Sequence, residues 1–180
     1  VGDDQDALEV RGRDDLDAVA VALISEHLLP QHEGAPAGNG LHLPLALEQA
    51  GGWPARDTAL RFADYAGHVT ARLGDRVRTW ATLNEPWCTA FLGHAAGVFA
   101  PGARDPQAAL AAAHHLLLGH ALAVEAVDDA LDVGLVLNVT TVRCEPDGDP
   151  AAADLVDALQ NRLWVDALVD GRVGGGARLG

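Results

Sequence analysis

The chain has 180 residues, about half of them apolar, and carries 12 arginines and no lysine against 26 acidic residues, for a net charge of −14. This length and apolar content are typical of a globular domain and argue against a disordered chain. The excess of negative charge repels phosphate backbones, so the composition argues against nucleic acid as a partner.

The first 40 residues predict a helix and then a loop. Apolar residues recur at helical spacing between Asp15 and Leu29, and residues 30–40 contain two prolines and three glycines, which is typical of a loop. The first 17 residues are acidic and lack the basic start of a signal peptide. The apolar stretch over 18–24 is too short to cross a bilayer. We therefore expect a cytoplasmic protein with no membrane partner.

The next part of the chain predicts two helices and a strand. A short helix is expected over 43–50 and a longer one over 55–73, ended by Gly74. A strand over 78–83 follows. The side chains of the longer helix that we expect to face inward are Leu60, Ala63, Val69 and Leu73.

After a connection rich in glycine and alanine, Asp105 and Pro106 predict a helix start, with Asp as the cap and Pro at the first position. This helix should reach about residue 130. Val133–Thr140 is a nearly continuous apolar strand, as expected for a parallel strand covered on both faces, and a last helix is predicted over 151–169. The side chains that we expect the first of these helices to bury are Leu110, Ala113, Leu117, Ala121 and Val124. Alternating helices and strands predict an α/β fold with a parallel sheet.

The end of the strand over 78–83 combines three useful side chains. Asn84 can donate and accept hydrogen bonds, Glu85 can carry a proton, and Trp87 offers a flat apolar face. Barrel enzymes keep their reactive groups at such strand ends. An ordinary strand-to-loop turn is the alternative, because Asn and Pro are common in turns for backbone reasons.

Four segments of the chain, in order and at matching spacing, resemble glycoside hydrolase family 1. They are residues 43–53, the Asn84-Glu85-Pro86 triplet, residues 133–138 and residues 153–172. The resemblance implies a partial (β/α)8 TIM barrel, with about two to three βα units between the third and the fifth helix of the barrel. It also implies a retaining β-glucosidase-type hydrolase that acts on a β-glucoside or a related oligosaccharide and needs no cofactor. In that family Glu85 matches the general acid/base, and Asn84 matches the residue that holds the 2-hydroxyl of the sugar.

The resemblance also exposes departures from the family pattern. The retaining mechanism needs a nucleophile in a Thr/Ile-Glu-Asn-Gly segment, which these 180 residues do not contain, and the stretch Gly40–Pro44 lacks the His and Trp of the family's His-Trp-Asp-Leu-Pro motif. Residues Gln31–Ala35 are similar to the family's Gln-x-Glu-Gly-Ala segment, so Gln31 is a further candidate sugar-binding residue, with a long piece lost after Ala35. We therefore expect a divergent acidic segment over 1–40, a partial and internally shortened barrel over 41–172, and a glycine-rich tail over 173–180 that is frayed.

The chemistry expected at the strand end is protonation of a glycosidic oxygen. A carboxylic acid in an apolar pocket keeps its proton more readily, because burial penalises the anion. Trp80, Trp87 and Phe91 are the side chains that we expect to form such a pocket. Trp87 would stack on a sugar in the leaving-group site, or else simply fill the core. Asn138, at the end of the next strand, would contact the same region.

Other polar residues suggest weaker hypotheses. The helix residues His114, His115 and His120 lack the i, i+4 spacing of a zinc site, so we expect no metal there. Glu48 is expected to be solvated, and Glu33 matters only if the match around it holds. Cys88 and Cys144 follow successive predicted strands and can lie close together, yet two isolated cysteines are most often reduced core residues.

Three functions stay open at this point. The chain is part of a hydrolase that is inactive alone, an inactive truncated remnant, or a non-catalytic acidic module that binds sugar or protein. Uncovered sheet edges would favour self-association.

Overall fold

The computed structural model describes residues 21–23, 43–170, 172–173 and 177–178. Its centre is a parallel sheet of three strands in the order β1-β2-β3. The strands are β1 (Val21–Leu23), β2 (Thr79–Asn84) and β3 (Asp132–Val136). The α-helices are α1 (Leu45–Gln49), α2 (Arg56–Leu73), α3 (Pro106–Ala126), α4 (Pro150–Asp157) and α5 (Leu163–Asp170). Two π-helices cover Cys88–Ala95 and Ala158–Arg162.

Parallel pairing with helical connections confirms the predicted α/β architecture. The prediction of a helix around Asp15–Leu29 is wrong over Val21–Leu23, which pairs with Thr79–Ala81 of β2. A short apolar run is compatible with either structure, and here pairing with a buried strand decides the outcome. The candidates Gln31 and Glu33 lie outside the described residues.

The core forms where α2 packs against α3 and α3 packs over β2. Gly119 of α3 lies at this contact, because a Cβ there would be in van der Waals contact with Phe62 and with the Cα of Ala59, at 3.4 and 3.6 Å. The buried side chains of α3 include the predicted Ala113 and Leu117. Fully or almost fully buried residues elsewhere include Trp53, Ala59, Phe62, Ala66, Trp80, Leu83 and Trp164.

The predicted inward faces of the two long helices are partly wrong. Leu60, Leu110 and Val124 are 44%, 52% and 42% exposed. Helix α3 is apolar on most of its circumference, so its sequence does not show which face is buried. At the contact with α2, Gly119 lies against Phe62 and Ala59 instead. Val69 and Leu73 of α2 do pack against the core, as predicted.

Helix α3 is also long and apolar enough to cross a membrane, by length and composition alone. In this fold eight of its residues are buried against neighbouring elements. Core helices of globular proteins have the same properties, so its apolar character is explained by packing.

The end of α2 and the start of α3 follow the sequence predictions, but α3 ends at Ala126 rather than at about residue 130. The Asp105 carboxylate accepts hydrogen bonds from the backbone N–H groups of Gln107 and Ala108, and Pro106 starts α3, as predicted. Gly74 ends α2, but with φ at −65° rather than in a left-handed conformation. Glycine is needed there for space, because a Cβ would lie 2.6 Å from the carbonyl oxygen of Thr70.

Several other predictions need correction. The connection after Trp87, for which no element was predicted, begins as a π-helix. Strand β3 has alternating exposure and Val136 is 38% exposed, so it is not covered on both faces. The predicted frayed tail contains a short antiparallel pairing of Arg172–Val173 with Ala177–Arg178.

Candidate active site

Glu85 is the first residue after β2, at the carboxyl end of the parallel sheet. Its backbone N–H donates a 2.9 Å hydrogen bond to the carbonyl oxygen of Val136, the last residue of β3. Its φ of 45° turns the chain away from the strand. These two features anchor the backbone of Glu85 to the neighbouring strand and fix where its side chain begins.

The end of β2 is bulged. Ala81 pairs with Gly134 and Asn84 pairs with Val136, so β2 holds one more residue than β3 over this stretch. Such a bulge changes the direction in which the following side chains point. The bulge therefore contributes to the placement of Asn84 and of Glu85 after it.

A helical turn follows Glu85 directly. Pro86 is fully buried at its start, and the N–H of Cys88 donates a 2.9 Å hydrogen bond to the carbonyl oxygen of Glu85. The turn continues as the π-helix Cys88–Ala95, a form that is common at functional sites. Because Cys88 lies three residues after Glu85 on this turn, its side chain returns to the same place.

The carboxylate of Glu85 is half-buried and contacts the Cys88 thiol. The thiol donates to Oε2 of Glu85 at 3.4 Å, and Nδ2 of Asn138 donates to the sulfur at 3.7 Å. Burial first, and then the hydrogen bond and negative charge of Glu85, raise the pKa of the Cys88 thiol to about 11. The thiol is therefore neutral at physiological pH. The structure thus brings Glu85 and Asn138 together through a residue that was not predicted to belong to the site.

The two cysteines have different environments. Both are free thiols; Cys88 is buried and Cys144 is exposed. The expectation of a reduced core cysteine is thus confirmed for Cys88 and wrong for Cys144. The sequence signal for the role of Cys88 is its position three residues after Glu85. This spacing brings the two side chains together only if a helical turn follows Pro86.

Asn84 and Trp87 lie on either side of Glu85 in sequence and are both half-buried. The Asn84 side chain makes no hydrogen bond with the rest of the described residues. Trp87 packs against Phe91, with ring centroids 5.8 Å apart. Trp80, which was expected to help form a pocket, is 2% exposed and donates its indole N–H to the carbonyl oxygen of Val77, so it belongs to the core below the strand end.

The loop after β3 is held by the second π-helix. Nε2 of Gln160 donates to the carbonyl oxygen of Asn138 at 2.9 Å. The Asn161 amide accepts from the N–H of Thr140 at 3.0 Å and donates to the carbonyl oxygen of the same residue at 2.8 Å. Asn138 is therefore placed by contacts on its backbone and on the residues that follow it.

The three helix histidines have protein partners. Nδ1 of His120 lies 2.8 Å from the hydroxyl of Thr82, and burial lowers its pKa. Nδ1 of His115 lies 3.1 Å from the carbonyl oxygen of Trp53, and His114 packs edge-on against His115. Within the residues that the structure describes, no group of three or more His, Cys, Asp or Glu side chains could hold a metal ion.

Glu48 is half-buried rather than solvated. A Cβ added to Gly52 would lie 2.9 Å from its carboxylate, so this carboxylate rests against the backbone of the glycine pair that follows α1. Nothing in this arrangement connects it with Glu85.

Comparisons with known proteins identify the family of this chain. The model of the family described as glycosyl hydrolase family 1 matches residues 40–176. The thermostable β-glucosidase B of Thermobispora bispora is 48% identical over 147 residues, which are 77% of this chain and 30% of that protein. A β-glucosidase of an Agrobacterium species is 46% identical over 134 residues, which are 72% of this chain and 29% of that protein.

A solved structure supports the same assignment of fold. The psychrophilic β-glucosidase BglU of Micrococcus antarcticus superposes with a TM-score of 0.71 and 44% identity, over 76% of this chain and 31% of its own. The chain thus spans about 30% of the length of the curated relatives it matches, which confirms the prediction of a partial copy of their barrel. With a family match over most of its length, this chain belongs to glycosyl hydrolase family 1.

Proposed function

We propose that this chain carries the proton-donating side of a β-glucosidase active site, with Glu85 as the general acid/base. The observation that supports this most directly is the position of Glu85: a half-buried carboxylate at the carboxyl end of a parallel strand, with its backbone tied to the next strand. Reactive groups of (β/α)8 enzymes lie at this end of the barrel.

The proposed chemistry has two steps that share one carboxyl group. Glu85 gives a proton to the glycosidic oxygen while a second carboxylate attacks the anomeric carbon, and the alcohol leaves. Glu85 then takes a proton from water, which hydrolyses the covalent intermediate. The second carboxylate has to come from a Thr/Ile-Glu-Asn-Gly segment, and the 180 residues contain none.

The proposed substrate is a β-glucoside or a related oligosaccharide, since the relatives are β-glucosidases. Asn84 would hold the sugar's 2-hydroxyl through its side-chain amide. Trp87 follows Glu85 by two residues and packs against Phe91 and the core; the part of its ring that stays exposed would suit the leaving group of the substrate.

A chimera tests the role of Glu85. Residues 43–170 would replace the matching segment of the Thermobispora β-glucosidase, and the product would be assayed with an alkyl β-glucoside and with a dinitrophenyl β-glucoside. We expect the chimera to hydrolyse both. Glu85→Gln should lower turnover of the alkyl glucoside about 10²- to 10⁴-fold. With the dinitrophenyl substrate, the rate of the first step, in which the covalent intermediate forms, should fall much less, because this leaving group needs no proton.

The 180-residue chain by itself should show negligible turnover of either substrate, because the retaining reaction needs both carboxylates. Glu125→Gln, an exposed glutamate on α3, is the matched control and should leave the activity of the chimera unchanged. A folded chimera that is inactive, or one that is indifferent to Glu85→Gln, would contradict the proposal. It would favour the non-catalytic binding module instead.

A further inference from the structure

We propose that Cys88 is a positioning residue for the Glu85 carboxyl group, and that Asn138 positions Cys88 in turn. The inference rests on the proposed function, because it assigns a task inside the same site. It replaces direct contact between Asn138 and the sugar with an action through the thiol.

The first argument is the geometry around the carboxyl group. The Cys88 thiol donates to Oε2 of Glu85 at 3.4 Å, while Oε1 forms no hydrogen bond with other described residues. The two oxygens are therefore distinguished: one is held by the protein, and the other is left for a substrate. A carboxyl group that transfers a proton needs this orientation, because the transferring oxygen has to lie within hydrogen-bond reach of the glycosidic oxygen.

The second argument is the chemical nature of the donor. An ammonium or guanidinium group next to a carboxyl group favours its ionised form and would work against a general acid. A thiol is a weak donor, and this one is uncharged because burial and the neighbouring carboxylate raise the pKa of Cys88 to about 11. It can hold the carboxyl group in place without adding charge.

The third argument is that the thiol is itself oriented. Nδ2 of Asn138 donates to the sulfur at 3.7 Å, so the S–H points away from Asn138 and toward Glu85. The backbone of Asn138 is held by Gln160, and the following loop by Asn161. A continuous set of contacts therefore joins the second π-helix to the carboxyl group.

Titration of the Cys88 thiol in the 180-residue chain tests the contact without any need for activity. The chain would carry ¹³C-labelled cysteine and Cys144→Ala, so that Cys88 gives the only signal. In this background we expect the thiol to stay protonated up to pH 10. Glu85→Gln should lower the pKa of the thiol by about one pH unit, because a negative neighbour that opposes the thiolate is removed.

Glu125→Gln is the matched control and should not change the titration. A thiol pKa that is the same with and without Glu85 would overturn the proposal. If Glu85→Gln does not fold, Glu85→Asp replaces it. Its shorter side chain withdraws the carboxylate from the sulfur, so a lower thiol pKa is again expected.

Activity of the chimera described above tests the consequence. Cys88→Ala should lower kcat for the alkyl glucoside about tenfold with little change in KM, and Cys88→Ser should restore most of it, because a hydroxyl also donates. Cys144→Ala should have no effect. If Cys88→Ser is as slow as Cys88→Ala, packing rather than the donor is responsible and the proposal is overturned.

The failures of the two proposals are distinguishable. A folded but inactive chimera counts against Glu85 as the acid/base. An active chimera that is indifferent to Cys88→Ala counts against the positioning role alone.

Discussion

Strands β2 and β3 are neighbours in the sheet, yet their surroundings differ. The four middle residues of β2 are all buried, and α3 packs over the strand. In β3, exposed and half-buried residues alternate, and no strand in the described part of the chain pairs along its outer edge. Helices α4 and α5, which follow β3, expose the apolar side chains Leu155, Val156, Val165, Leu168 and Val169.

The difference shows that the apolar sequence of a strand does not reveal whether neighbouring elements pack on both of its faces. Val133 and Leu135 pack against the core from one side, whereas Val136 and Val139 do not. The candidate site uses both environments: Glu85 comes from the covered strand and Asn138 from the uncovered side. The comparison predicts that the two sides respond differently to substitution.

The largest expected effect is on the buried side. Leu83→Ala removes a side chain that is 0% exposed and should lower the free energy of unfolding by about 2–5 kcal/mol. Val136→Ala, on the exposed strand, should cost less than about 1 kcal/mol. Chemical denaturation of both variants provides the measurement, and equal losses would show that β3 is as well covered as β2.

A smaller loss of stability is expected on the exposed side, where hydrogen bonds hold the loop after β3. Asn161→Ala removes both hydrogen bonds to Thr140 and should cost about 1 kcal/mol. Gln107→Ala is the control, since it changes an exposed amide on α3. The prediction would fail if the two variants had the same denaturation midpoint.

The stability of the fold should also depend on pH, through the protonation of His120 on the buried side. Burial lowers the pKa of His120 below its value in the unfolded chain, so the unfolded state binds its proton first as the pH falls. Its contribution to stability is present above about pH 6.5 and is lost progressively below that value. Burial also lowers the pKa of His114, which acts in the same direction.

Urea denaturation at pH 7.5 and pH 5.5 measures this dependence. We expect His120→Gln to weaken it and His68→Gln, which changes an exposed histidine of α2, to retain it. An unchanged dependence in His120→Gln would show that protonation of His120 is not coupled to folding.

The smallest effect is expected at the surface. Arg61 and Asp57 form a 2.6 Å ion pair one helical turn apart, with side chains 59% and 64% exposed. Arg61→Ala should cost less than about 0.5 kcal/mol, and less still at high salt. A loss as large as that of Asn161→Ala would mean that surface charge matters more for α2 than its solvent exposure suggests.

Local signals in the sequence predicted the elements well where one residue type has one clear role. Asp105 and Pro106 marked the start of α3 because only the first turn of a helix suits both. The strand before Glu85 was also found, since its apolar run ends at Asn and Pro. By contrast, the buried face of α3 depends on which neighbour packs against it, and an apolar helix does not encode that choice.

Only the site residues that lie close together in the sequence could be predicted as a group. Asn84, Glu85 and Trp87 are consecutive or nearly so, and one strand end identifies them together. The contact between Cys88 and Asn138 joins residues 50 apart in sequence. It requires the register of β2 against β3 and a helical turn after Pro86, neither of which local patterns supply.

The backbone of Glu85 has a thermodynamic implication. A left-handed conformation at a residue other than glycine costs on the order of 1–2 kcal/mol, and Glu85 has a φ of 45°. Selection for folding alone would place glycine or asparagine there. Under the role proposed for Glu85, the domain gives up some stability for proton transfer, which neither glycine nor asparagine can perform.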